Sequence, residues 1–298
     1  MAPPTGLNCR NRIPPLEPFE QYEHSKDVDP SFPSLLKEGT KISDIAVSIG
    51  AKVTGVQLSQ LDDKGKDELS LLLAQKKVVV FHDQDFATIP IQQAVDFAGY
   101  FGRLHVHPVS GAARGFPQLH MHSDVSYELQ PHGTTMLSAI DVIESGGVTL
   151  FVNQVKAYER LTPGFCERLA ELKVVHSAYE QAQTALGKGG QLRQDPITSV
   201  HPLMSDGLLN FIYHHIALSH DVQCRFKWSG RSVVVWDNRV TAHSGLMDWK
   251  GPRYRYIARL AAQAEVPTEY DPMSLTRGIV YVTGRSSPIR AAQLQIRY

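Results

Sequence analysis

Apolar and polar positions along the chain follow two periods, and their order suggests the elements. From "DIAVSIGAKVTGVQL" onward, apolar and small residues alternate through Val47, Ile49, Ala51 and Val53, as in a strand. Behind Asp62 and Asp63, which suit a helix start, Leu69, Leu72, Leu73 and Lys76 recur at helical spacing, and the apolar run "VVVF", Val78 to Phe81, follows as a buried strand. Pro90 opens a second helix, "PIQQAVDFAGYFG", with Ile91, Val95 and Ala98 on one face. Strand-like runs then dominate, "HGTTMLSAIDVI", "GVTLFVN", "SVVVWDN" and "RYRYIARLAAQ", with helices near "VKAYERLTPGFCERLAEL" and "SDGLLNFIYHHIAL". The class is α+β, with early helices and β segments carrying the middle and end, and no internal repeat.

The pattern also divides the chain. Residues 1–45 are rich in Pro, Glu, Asp and Ser with little periodicity and read as an extended N-terminal arm. Residues 46–268 read as one folded domain and 269–298 as a C-terminal tail packing on it.

Composition narrows the function classes. Among 298 residues, 30 basic side chains balance 30 acidic ones, so no overall field attracts nucleic acid or an anionic membrane. The partner expected is a small molecule; self-association is compatible with the sequence. Cys9, Cys166 and Cys224 are widely spaced, which argues against a disulfide framework and a zinc-thiolate site. With no apolar run near the length of a membrane span and no apolar core in the first residues, the chain reads as soluble and cytoplasmic.

The stretch "HMHSDVSYE" introduces the candidate chemistry. If it is extended, His122 and Asp124 point to one side and Ser123 to the other, so an imidazole and a carboxylate share one small volume. With 13 histidines, about one His-x-Asp is expected by chance, and a solvated surface strand is the simple alternative. His243, beyond "VVVWDN", is a third donor. Two imidazoles and one carboxylate on one face of an octahedral ion leave three positions open, which suits non-haem Fe(II) binding a cosubstrate and O2. In "PRYRYIAR", alternation places Arg253, Arg255 and Arg259 on one face, where guanidiniums pair with a carboxylate or sulfonate. The alternative there is a solvated sheet face.

Taken in order, "LHVHP", "HSDVSYE", "GGVTLFVNQVKAYERL", "WDNRVTAHS" and "RYRYIAR" resemble the taurine dioxygenase family of Fe(II)- and 2-oxoglutarate-dependent oxygenases, in particular its fungal sulfonate-dioxygenase-like branch. The likeness runs from about residue 46 to 277. It implies a double-stranded β-helix, or jelly roll, with flanking helices. It further implies His122, Asp124 and His243 as iron ligands, Thr149 and Arg255 on the distal carboxylate of 2-oxoglutarate, and His107 and Arg259 on the anionic end of the substrate. The activity implied is hydroxylation of a small anionic substrate, taurine or another sulfonate, with O2 as oxidant.

The chain departs from that pattern in three places. Val148 stands where the family has Asp before the threonine, and Met121 where it has Trp before the first iron ligand. Only 14 residues separate His107 from His122, and "HPLMSDGLLNF" runs directly into a helix, where relatives carry longer, pocket-closing segments. Either the pocket is more open and remodelled, or mobile loops are missing from the chain. Two other readings follow: a biosynthetic tailoring oxygenase acting on an amino acid or larger metabolite, and a non-catalytic binding module on the same fold. The full set of three ligands plus Arg255 argues against the second.

Overall fold

The structure, a computed structural model, describes residues 17–106, 121–170, 206–249 and 255–267, with Leu172, His176 and a parallel pair of two-residue strands, β1 (Arg12–Ile13) and β7 (Leu192–Arg193). The first half holds β2 (Lys41–Asp44), β3 (Ala51–Thr54), helix α1 (Asp63–Lys76), β4 (Val78–Phe81) and α2 (Ile91–Gly99). The middle holds β5 (His132–Asp141), β6 (Thr149–Asn153), α3 (Gln154–Glu159) and α4 (Pro163–Ala170). Helix α5 (Asp206–Leu218) precedes β8 (Gln223–Phe226), β9 (Val233–Asp237), β10 (Thr241–Gly245) and β11 (Tyr256–Gln263).

A six-stranded sheet, in the order β11-β5-β9-β4-β3-β2, faces a three-stranded sheet, β10-β6-β8. Alternation explains why "VVVF" and "SVVVW" are continuous apolar runs rather than half-polar ones: both faces of these central strands are covered. Val78, Val80, Val234 and Trp236 pack inward with Phe151, Cys224, Phe226 and Trp228 of the smaller sheet and its flank. Val79, Phe81, Val233 and Val235 pack outward on Leu69, Leu72 and Leu73 of α1 and on Phe97 and Ala98 of α2. This two-sheet sandwich with helices on its outer face is a jelly roll. Phe81 is fully enclosed in the outer core. Truncating such a residue removes about 3–5 kcal/mol, so Phe81→Ala is expected to lower the urea midpoint by that amount of stability with an unchanged slope.

Three local expectations are corrected. The alternation at Val47 and Ile49 is not a strand: residues 45–50 form the turn of a hairpin between β2 and β3, closed by the Ile45 N–H to Gly50 carbonyl bond of 2.8 Å. Gly50 sits at φ 87°, and Val47 is wholly exposed. The sheet thus begins at Lys41, ahead of the boundary at residue 46. On α2 the buried face is Ala94, Phe97 and Ala98, while Ile91 is exposed. The rings of Phe86, Phe97 and Phe101, packed edge to face, bury more area than Ile91 would, and they set the helix rotation.

Candidate active site

His243 lies on β10 directly opposite Phe151 of β6. Its ring packs on Phe151 and Trp236, whose side chains belong to the core between the sheets. "HSD" is not the strand its spacing suggests. Only His122 pairs, exchanging N–H to carbonyl bonds of 3.0 and 2.8 Å with His243, and the chain then turns over residues 124–127. Val125 takes φ 44°, a conformation unfavourable for a β-branched residue. Ser123 still points away and donates to the Thr241 carbonyl at 2.7 Å.

The outcome is a tight cluster. Asp124 Oδ1 is 3.7 Å from His122 Nε2, Asp124 Oδ2 is 4.0 Å from His243 Nε2, and the two imidazole centroids are 4.5 Å apart. One donor atom from each of the three residues lies within 4.8 Å of the others, roughly twice a metal–ligand bond. Burial opposes ionisation of Asp124, but His243, His122 and Arg259 together outweigh it and hold the carboxyl well below its usual range. Burial, with His122 and Arg259 adding to it and Asp124 opposing, pushes His243 down to about 3. At neutral pH the cluster therefore offers a carboxylate and a neutral imidazole. Asp124 Oδ2 is buried without a hydrogen-bond partner among the described residues. An anionic oxygen left bare between two imidazoles is what a cation would satisfy, so the donor set fits a metal ion.

Thr149 lies on β6, which pairs with the strand that carries His243. Thr149 follows Gly147, which adopts φ 64° where an added Cβ would come within 2.8 Å of Ile143. That turn presents the Gly147 carbonyl to an Arg255 guanidinium N–H. Trp228 joins the two: its Nε1–H donates to Thr149 Oγ1 at 2.9 Å, and Arg255 lies 5.4 Å over its ring. Burial lowers the Arg255 pKa.

Arg259 is placed against this donor cluster, with Nη1 3.2 Å from Asp124 Oδ1. A register shift between Tyr256 and Ile257 separates it from Arg255. His107 and Arg253 lie outside the described residues, as do both short connections, residues 107–120 and 201–205. Met121 packs with Val152, Ala157 and Val222, an apolar contact apart from the three donors. The Val148 carbonyl accepts from Leu246 N–H at 2.8 Å.

Sequence reasoning missed three features. Trp228 carried no motif. Asn238, at the end of the "SVVVWDN" run, is fully buried and bonds to both main-chain groups of Asp124. A buried His105–Glu128 pair, 2.8 Å apart, ties "LHVHP" to "HSDVSYE", with the His132 ring edge-on to His105 and 4.0 Å from Asp124 Oδ2. Only the presence of His105 and Glu128 within those motifs hinted at it.

Residues 41–205 match the family described as Taurine catabolism dioxygenase TauD, TfdA family. A relative from Saccharomyces cerevisiae, named alpha-ketoglutarate-dependent sulfonate dioxygenase, is 35% identical over 89% of this chain and 80% of its own length. The alpha-ketoglutarate-dependent dioxygenase cnsP of Penicillium expansum is 32% identical over 86% of this chain and 84% of its own. A crystal structure of a taurine dioxygenase from Burkholderia xenovorans superposes with a TM-score of 0.62 at 25% identity, covering 77% of this chain and 91% of that one.

Proposed function

The chain belongs to the TauD/TfdA family and is a 2-oxoglutarate-dependent dioxygenase; from that premise we propose that it hydroxylates a small sulfonate such as taurine, with Fe(II) held by His122, Asp124 and His243. The observation that carries this reading is the convergence of the three donors within 4.8 Å around a bare carboxylate oxygen. Ferrous iron, when bound, supplies the redox chemistry by which O2 is reduced as 2-oxoglutarate loses CO2 and becomes succinate.

The protein's own groups supply orientation and charge. Thr149 pairs with Gly245 on the strand that carries His243, so Thr149 and His243 are diagonal neighbours about 7–8 Å apart, a span suited to a five-carbon diacid. Thr149 and Arg255 take its distal carboxylate. Because Trp228 already donates to the Thr149 oxygen, the threonine proton is free to point at that carboxylate. Phe151 and Trp236 exclude water on the core side.

His107 and Arg259 hold the substrate anion: an imidazole and a guanidinium together offer several directed N–H donors to a tetrahedral sulfonate. The name of the yeast relative supports a sulfonate substrate. Hydroxylation of the carbon bearing the sulfonate gives an unstable adduct whose C–S bond breaks, releasing sulfite and leaving an aldehyde. With Fe(II), ascorbate and 2-oxoglutarate, taurine and short alkanesulfonates are expected to yield sulfite and succinate in equal amounts. Succinate from some larger metabolite, with no sulfite from any sulfonate, would overturn the substrate assignment and leave the oxygenase chemistry standing.

A further inference from the structure

Asp124 stands at an awkward point in the chain. His122 is the last residue of its segment to pair with β10, and beyond Ser123 the main chain turns through Val125 at φ 44°. The N–H and C=O of Asp124 therefore have no strand beside them, yet the residue is buried. Unpaired buried main-chain groups cost about as much as lost hydrogen bonds. Asn238, in the turn between β9 and β10, supplies both partners. Its Oδ1 accepts from Asp124 N–H at 2.8 Å and its Nδ2 donates to the Asp124 carbonyl at 3.0 Å, with a longer contact of 3.4 Å to the His132 carbonyl. One planar amide thus imitates a strand partner for a single residue.

Asn238 is itself fixed. Its own N–H donates to the Gly133 carbonyl at 2.9 Å, and its side chain is wholly buried. The flanking residues brace the turn: Arg239 pairs with Asp237 at 2.8 Å and Glu265 at 2.9 Å, and Thr241 Oγ1 donates to the Asp237 carbonyl at 2.8 Å. Five residues after Asn238, the same segment delivers His243.

We propose that Asn238 is a positioning residue for the metal centre, setting the Asp124 carboxylate at a fixed distance from His243 and offsetting the strain at Val125. This inference rests on the reading of His122, Asp124 and His243 as metal ligands. Asn238 touches neither metal nor substrate and acts through the main chain of Asp124. Outer partners that orient metal ligands typically change metal affinity by about 10–100-fold when removed.

The test uses the full chain, with Co(II) alone as a visible probe of the site. Asn238→Ala loses both bonds; Asn238→Asp keeps the acceptor but sets a second oxygen against the carbonyls of Asp124 and His132. Both are expected to bind Co(II) about 10–100-fold more weakly, and, at saturating Co(II), to show d–d bands altered in position or intensity. A loss of stability alone would not move that spectrum. Folding is checked by circular dichroism. If neither variant folds, the unaltered protein decides: with asparagine side chains labelled with nitrogen-15, the Asn238 amide should exchange slowly with solvent and shift when Zn(II) is added.

A folded Asn238→Ala with the parent affinity and spectrum would overturn the proposal, as would an Asn238 amide that exchanges like an exposed one. Failure of the unaltered chain to bind Co(II) would instead overturn the metal reading itself.

Discussion

Asp124→Ala is expected to lower ferrous affinity by more than about 100-fold, beyond the range typical of outer-sphere changes, and to reduce turnover in proportion at limiting iron. The carboxylate is the one anion in a cluster otherwise made of His122, His243, His132 and the Arg259 guanidinium 3.2 Å away. Without it, an arriving cation meets only imidazoles and the Arg259 guanidinium. The loss therefore combines a missing ligand with a repulsive field, and it should exceed that of His122→Ala, which leaves the carboxylate in place. Anaerobic Fe(II) titration by calorimetry, and by the visible band that forms with 2-oxoglutarate, measures both. Near-parental affinity in Asp124→Ala would show that the three residues meet without holding a metal.

Much of this site was legible because its residues lie in short motifs whose chemistry is local. "HSD" places two donors together under either backbone geometry, since Asp124, the first residue of the turn, still brings its carboxylate within 3.7 Å of His122. The pairing of His243 with His122 could not be read, because that bridge depends on β10 meeting a segment far away in the chain. The central strands were plain from "VVVF" and "SVVVW", whose double-sided burial suppresses alternation. The hairpin at residues 45–50 misled because Val47 and Ile49 mimic strand period inside a turn. The rotation of α2 misled because the larger Phe97 and Phe101, not the more regular Ile91 and Val95, decide which face packs. Asn238 and Trp228 stayed hidden for another reason: each works on a partner that only the fold brings near, and neither residue type signals chemistry by itself.

Arg255→Ala is expected to weaken 2-oxoglutarate binding by roughly 30- to 5,000-fold, the consequence of removing one partner of a buried charged pair worth about 2–5 kcal/mol. The guanidinium is half-buried, its pKa is lowered by that burial, and in this structure it makes a carbonyl contact to Gly147 and stacks on Trp228. A cation desolvated in this way, over the indole that donates to Thr149, gains most from an incoming carboxylate. Arg255→Lys keeps the charge but loses the planar fork and the stacking, so it should fall between the parent and alanine. Trp228→Phe gives a graded control, since it keeps a ring beneath Arg255 and removes only the N–H to Thr149, one neutral hydrogen bond of about 0.5–1.5 kcal/mol. The KM for 2-oxoglutarate should rise in the order Trp228→Phe, Arg255→Lys, Arg255→Ala, while metal affinity measured without 2-oxoglutarate stays level across the three. Unchanged 2-oxoglutarate affinity in a folded Arg255→Ala would transfer this role to Arg253 or Arg259. The position of Arg259 against Asp124 makes that second outcome testable at once, because a variant there would disturb the metal and the diacid together.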